Sequence, residues 1–293
     1  MAVTAELVSE LRKLTSAGMM DCKKALERTN GDIQQAQDLL RKEGKAKAEK
    51  KSGRIAAEGK IVVAVDPTHK QAAIAEVNCE TDFVARGDAF LQFAQQIVDR
   101  ALALNENDVD NLLTQKMSAS AATTIDETRK ELIVKIGENI SIRRIQCLST
   151  SGKITAYVHG GRIGVLVDLQ DGNDALGKDL AMHIAASNPI VVQPQDVPEN
   201  VLAKEKEIYS ALASNIGKPE DVIEKMVAGR LKKYVNEVSL LGQPFVKDPS
   251  QTVEKILSQQ NAKVNRFVRY EVSEGVEKQS TNFADEVAQL QGN

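Results

Sequence analysis

A chain of 293 residues is too long for one small core and predicts about two or three domains. Apolar residues make up 42% and charged residues 27%, as in a globular protein, but aromatics are only 3% and Trp is absent, so the cores must rest on Ala, Val, Ile and Leu. A net charge of -3 argues against general nucleic-acid binding, and the three scattered cysteines, Cys22, Cys79 and Cys147, read as buried reduced thiols rather than a disulfide or zinc framework.

The N-terminus, Met1 to Leu14, has the pattern of an amphipathic helix with acidic residues and lacks the apolar stretch of a signal peptide. No apolar run approaches the roughly 20 residues of a membrane span. The expected location is therefore the cytoplasm, with no membrane partner. Leu7, Val8, Leu11 and Leu14 recur at helical spacing after Thr4, a candidate N-cap. Thr15-Ser16-Ala17-Gly18 breaks that helix. A second short helix carries Cys22, Ala25 and Leu26, and Asn30-Gly31 is a turn signal. Asp32, with Gln35 three residues later, starts a third helix through Ile33, Ala36, Leu39 and Leu40. Residues 41 to about 58 are rich in Lys, Ala and Gly. Interleaved Glu43 and Glu49 and the lack of aromatics favour a solvated helical linker over a nucleic-acid contact.

Strand-like sequence follows at Gly59 to Val65 and Ala72 to Val77, joined by an Asp66-Pro67 turn. Phe90, Phe93, Ile97, Val98 and Leu102 restore helical period over 88 to 104. A helix-forming stretch ending in Glu131 to Ile142 precedes a second copy of the plan. Strand from Gly152, turn at His159-Gly160-Gly161, strand Ile163 to Leu169 and helix Leu176 to Ala186 repeat the order strand, turn, strand, helix. This order predicts an internal duplication of an α+β unit. Residues 199 to about 235 predict a helical hairpin. Its stripes are Leu202, Ile208, Ala211 and Leu212, then Val222, Ile223, Met226, Val227 and Leu231, around Gly217-Lys218-Pro219. A strand at Arg266 to Val272 and a last helix, Phe283 to Leu290, close the chain.

The motifs of nucleotide and hydrolytic chemistry are missing. Gly-Lys occurs at Gly44, Gly59, Gly152, Gly177 and Gly217, and neither Ser nor Thr follows any of them, so there is no phosphate loop. There is no G-x-S-x-G nucleophile elbow. His69, His159 and His183 are the only histidines, and no pair has metal-ligand spacing on one helix. His183 reads as a packed helix residue. His159 beside a Gly-Gly turn is open to two readings, a turn residue or a functional one. No cofactor and no metal are expected, and the chain is not expected to be an enzyme.

Two segments stand out. Met19 and Met20 open a helix and cannot both face one thin core, so at least one is expected at the surface, where Met suits an adaptable contact. Asn78 to Arg86 is a polar turn carrying Phe83 and Val84. Together these segments closely resemble the elongation factor Ts family. Its pattern T-x-A-G-M-M-D-C-K-K-A-L is met at Thr15 to Leu26, and E-V-N-C-x-T-D-F-V-A at Glu76 to Ala85. Gly137-Glu138-Asn139-Ile140, His159 to Gly164 and Gly242 to Val246 match in family order, while Asn282 stands where the family often has Asp.

The resemblance implies an α+β fold: an N-terminal three-helix module similar to a ubiquitin-associated (UBA) domain with its linker (1–54), a duplicated core (55–147 and 148–276) with a coiled-coil hairpin insert at about 199–235, and a C-terminal helix (277–293). It implies a guanine nucleotide exchange factor that binds elongation factor Tu, disturbs its Mg²⁺ site and releases GDP, without binding nucleotide itself. The alternative is an RNA-binding protein using the Lys-rich linker, and a further rival is a hydrolase using His159. By the same resemblance, Arg12, Met19, Met20, Lys23 and His159 contact the partner. Thr81, Asp82, Phe83 and Val84 form the segment that dislocates the Mg²⁺. Self-association, for example in a 2:2 complex, stays open.

Overall fold

The computed structural model describes residues 3–15, 17–214 and 219–276. The expected C-terminal helix and the Gly217-Lys218 part of the hairpin turn lie outside them. The architecture is mixed helix and strand.

Three helices open the chain: α1 (Ala5–Thr15), α2 (Met19–Arg28) and α3 (Ile33–Ser52). Val8, Leu11, Cys22, Ala25, Leu26 and Ala36 close a small core between them. Leu14, expected in that stripe, is exposed instead. Asn30 and Gly31 both take positive φ, and Asp32 caps α3 by accepting from the Gln35 N–H at 2.9 Å. The solvated helical linker expected from residue 41 is helical as far as Ser52, as the second half of α3, but it is not wholly solvated. Its small residues pack on the core: Ala48 is buried in the main core cluster, and a Cβ on Gly44 would sit 3.3 Å from Val134. Arg41 pairs with Glu127, Lys47 with Asp21, and Lys51 donates to the Gly137 carbonyl.

The body consists of two three-stranded antiparallel sheets. β1 (Glu58–Val65), β2 (Gln71–Cys79) and β3 (Ile140–Ser149) form the first, in that order. β4 (Lys153–His159), β5 (Ile163–Gln170) and β8 (Lys263–Glu271) form the second. The duplicated plan therefore extends to a third strand in each half. The helix expected over Glu131 to Ile142 ends early. α7 (Ile125–Ile136) is stopped by Gly137 at φ 91°, and Ile140 already belongs to β3.

Helices cover the outer face of each sheet. α4 (Asp82–Ala85), α5 (Asp88–Leu104), α6 (Val109–Thr114) and α7 serve the first, and α8 (Asp174–Ser187) the second. Alternation does the sorting. Ala73, Ala75, Val77 and Cys79 of β2 meet Phe90, Phe93, Ile97 and Val98 of α5. Val165, Val167 and Leu169 of β5 meet Leu176, Leu180 and Ile184 of α8. The inner faces meet through Ile61, Ile74 and Leu148 on one side and Ile154, Leu166 and Val268 on the other. The result is four layers, helix–sheet–sheet–helix, with both central strands buried on both faces.

Each central strand also buries one acid at a register shift. Glu76 of β2 is gripped by Arg143 (3.0 Å) and Arg144 (2.6 Å) of β3. Asp168 of β5 accepts from Thr150 (2.6 Å) and Asn265 (3.1 Å) and pairs with Arg266 of β8.

Between α8 and β8 the chain makes α9 (Glu199–Ser214) and α10 (Glu220–Val238), which lie against each other, then β6 (Pro244–Phe245), β7 (Asp248–Thr252) and α11 (Val253–Gln259). The second expected stripe of the hairpin faces inward, with Val227 buried and Val222, Ile223, Met226 and Leu231 half-buried. The first does not: Ile208, Ala211 and Leu212 are exposed, while Ala213 is buried. Arg230 lies over the Tyr209 ring. No described helix is long and apolar enough to cross a membrane.

Candidate functional site: the Phe83 turn and its neighbours

β2 ends at Cys79, and the chain turns at once into the single-turn helix α4. Thr81 is its N-cap: its hydroxyl oxygen accepts the Val84 N–H at 3.4 Å. The same hydroxyl donates to Glu138 Oε1 at 2.7 Å, and the Thr81 N–H donates to Glu138 Oε2 at 3.0 Å. The Cys79 thiol lies 3.2 Å from the Thr81 carbonyl and donates to it. Burial, then the nearby charges of Glu138 and Glu58, pushes that thiol up to about 12, so it stays protonated and unreactive.

Phe83 projects from this turn with 84% of its surface exposed, the most exposed large apolar side chain among the described residues. It does not staple the start of α5, whose core is filled by Phe90 and Phe93. Val84 is half-buried against the helical core, and Asp82 pairs with Arg86 at 2.9 Å. The turn therefore has one inward side chain, one outward ring and a carboxylate beside it.

His159 lies at the same end of the two sheets. Cys79 is opposite Glu58 in the β1–β2 ladder, and Glu58 pairs with Arg162 at 2.7 Å. Arg162 N–H closes the β4–β5 turn on the His159 carbonyl at 3.0 Å. The central residues of that turn, Gly160 and Gly161, have φ of 59° and 72°, which favours residues without a Cβ. The Gly161 carbonyl accepts the Ile61 N–H at 2.9 Å, so this turn is fastened to β1. His159 is exposed, its Nδ1 3.1 Å from the Tyr157 hydroxyl.

In the N-terminal module Met19 and Met20 are both exposed, at 59% and 61%. Arg12 is exposed, and Lys23 makes only a long, exposed pair with Glu27 at 3.8 Å. Leu14 and Thr15 border a groove with Ala89, Gln92 and Phe93, which brings the end of α1 against the first turns of α5. Thr81 to Val84 and His159 thus share one end of the molecule by a traceable chain of contacts. The module reaches the same helix that follows Phe83.

His69 is exposed in the β1–β2 turn, its Nδ1 3.1 Å from the Ile154 carbonyl. His183 is fully buried; Nδ1 accepts the Val246 N–H at 3.1 Å, which leaves the ring proton on Nε2 to donate to Gln243 Oε1 at 2.9 Å. Burial lowers its pKa, with Gln243 opposing. Among the described residues no group of His, Cys, Asp or Glu is placed to hold a metal ion.

Residue patterns gave no role to the groups that hold the turn. Asn139 N–H donates to Glu80 Oε1 at 2.6 Å, and Asn139 Nδ2 donates to the carbonyls of Ser52 and Arg54. Glu138 and Asn139 lie in the Gly137 to Ile140 motif, so the signal was present in the sequence, but the pairing across more than fifty positions was not.

Comparisons with known proteins agree along the chain. A family model described as "Elongation factor TS" matches residues 80–274. Curated relatives bearing the name elongation factor Ts include one from Methylococcus capsulatus, 56% identical over 288 residues and covering 98% of each chain. One from Hydrogenovibrio crunogenus is 54% identical, covering 98% of this chain and 97% of its own. One from Thioalkalivibrio sulfidiphilus is 52% identical over 295 residues, covering 100% of both.

Proposed function

Since this chain belongs to the elongation factor Ts family, we propose that the end of its two sheets tipped by Phe83 and His159 is the surface that meets elongation factor Tu. The chain serves as a guanine nucleotide exchange factor for elongation factor Tu in translation elongation. A GTPase holds its nucleotide through donors around the phosphates and a bridging Mg²⁺. Thr81, Asp82, Phe83 and Val84 act at that ion's site: the ring displaces what surrounds the ion, and the Asp82 carboxylate comes with it. A factor that binds the empty GTPase better than the loaded one must weaken nucleotide binding by the same factor. No bond is made or broken by this chain, and nucleotide concentration sets the direction of exchange.

The observation that carries this reading is Phe83, an exposed ring on a turn held from behind, in a chain with few aromatics. Arg12, Met19, Met20 and Lys23 dock the N-terminal module, which we read as UBA-like, and His159 contributes a second core contact. The α9–α10 hairpin is read as an insert that projects from the second half, and the place of action as the cytoplasm, where translation occurs. Self-association through the hairpin into a 2:2 complex is an outcome that a mass measurement on the complex decides. Against the RNA-binding alternative stands the engagement of Arg41, Lys47 and Lys51 of α3 within the protein, although Lys42 and Lys50 are exposed.

The test is release of labelled GDP from elongation factor Tu with and without this chain. Acceleration by substoichiometric amounts is expected. An unchanged release rate, or tight GDP binding by the isolated chain, would refute the reading.

A further inference from the structure

An exposed ring is useful to a partner only if it waits in position. A one-turn helix has almost no stability of its own, and an unheld phenyl group would fold back onto nearby apolar surface. The Phe83 turn must be held by something outside itself. The geometry points to Glu138 as the positioning residue for this turn, a role that rests on the exchange reading above.

The Glu138 carboxylate takes both protons that Thr81 has to give, from N–H at 3.0 Å and from the hydroxyl at 2.7 Å. A hydroxyl has one proton and two lone pairs. Its proton directed at Glu138 leaves a lone pair for the Val84 N–H, so the clamp and the N-cap use opposite sides of one oxygen and reinforce each other. Glu138 itself is not free to move. Gly137 turns the chain at φ 91° at the end of α7, the Gly137 carbonyl accepts from Lys51, and Asn139 is tied to Glu80, Ser52 and Arg54. The junction between α7 and β3 is thus bolted to the junction between β2 and α4, with Phe83 two residues beyond the bolt.

Removing the clamp should spare the docking contacts and weaken what the ring does once docked. In stopped-flow release of fluorescent GDP from elongation factor Tu, Glu138→Ala should lower the maximal release rate about tenfold, the scale of losing charge-assisted hydrogen bonds. The concentration giving half-maximal release should change less than about twofold, because Met19, Met20 and His159 are untouched. Glu138→Gln keeps the size but presents one acceptor oxygen instead of two, and should fall between Glu138→Ala and wild type. In a Phe83→Ala background Glu138→Ala should have a much smaller effect than in wild type, limited to what Asp82 and its neighbours contribute.

A second measurement needs no partner. The chain has no Trp, so Phe83→Trp supplies a single tryptophan at the turn, excited at the red edge where the four tyrosines do not absorb. Its time-resolved anisotropy should show a fast local component when Glu138→Ala is added, with unchanged overall tumbling. The inference is overturned if the Trp motion is unchanged. It is equally overturned if Glu138→Ala exchanges like wild type, or if its effect adds fully to that of Phe83→Ala, as a general loss of stability would. A wild-type chain that fails to release GDP would refute the exchange reading instead, while the anisotropy still decides the role of Glu138.

Discussion

Phe83 and His183 sit at opposite extremes of exposure, and each makes a separable prediction. Phe83 is 84% exposed, so Phe83→Ala should change folding stability by no more than about 0.5 kcal/mol, the usual range for a surface site. A ring that enters a partner's pocket costs about 2 kcal/mol or more on truncation, or roughly 30-fold in exchange efficiency. Thermal melting and GDP release on the same sample separate the two; a large fall in melting temperature with normal exchange would mean the ring packs within its own chain. His183 is held neutral, with Val246 donating to Nδ1 and Nε2 donating to Gln243. Its folded pKa lies below the unfolded value of about 6.5, so the unfolded chain takes up the proton first as pH falls. The stability it contributes is complete above about pH 6.5 and declines below it, by up to about 1.4 kcal/mol per pH unit until the folded pKa is reached. Urea midpoints between pH 7.5 and 5.5 should fall less in His183→Gln than in wild type. Equal slopes would sink the assignment.

Helix α3 belongs to two cores at once, through Ala36 in the module and Ala48 in the body. Cutting the chain after residue 50 should therefore damage more than docking. Removal of residues 1–40 keeps Gly44, Ala48 and Lys51 and should leave a cooperatively folding core that binds elongation factor Tu weakly. Removal of 1–50 takes Gly44 and Ala48 as well and should lower the melting temperature by several degrees more, given roughly 2–4 °C per kcal/mol for a body of this size. Identical melting of the two truncations would show that the second half of α3 adds nothing to the core. The sequence concealed this because Gly44 and Ala48 are small residues four positions apart in a run of lysines, without a large apolar side chain to mark the face. α5 was easy to read for the opposite reason, since Phe90, Phe93, Ile97 and Val98 mark a helical stripe. β3 was missed because its alternation breaks: Val77 faces Ile142 but Glu76 faces Arg144, leaving Arg143 as an extra residue in the ladder. The Phe83 turn was legible as a motif, but its clamp joins Thr81 to Glu138, a contact that only the tertiary fold creates.

Across the whole molecule, the contact between the two sheets decides whether the halves act as one body. Gly164 of β5 lies on that face where the sheets pack tightly: a Cβ there would lie 2.3 Å from Ile61 Cγ2 and 3.1 Å from Ile74 Cδ1. Gly164→Ala should wedge the sheets and cost about 1–3 kcal/mol, the range for overpacked cores. Equilibrium urea unfolding measures it, and an unchanged midpoint would mean the inner layer is looser than its burial implies.

The second sheet has an order of assembly written into its connectivity. β5 is complete at Gln170, but its partner on the far edge, β8, starts only at Lys263. At about 5–20 residues per second, a ribosome takes on the order of ten seconds to deliver β8. Throughout that interval the nascent chain presents an unpaired strand edge of sequence Ile163 to Gln170, apolar enough to pair with the same segment of a neighbouring chain on one polysome. Asp168 interrupts that segment with a charge at the irregular point of its ladder. In the folded chain that acid accepts from Thr150 and Asn265 and pairs with Arg266, so any pairing made before β8 arrives would leave it without its arginine and cost free energy.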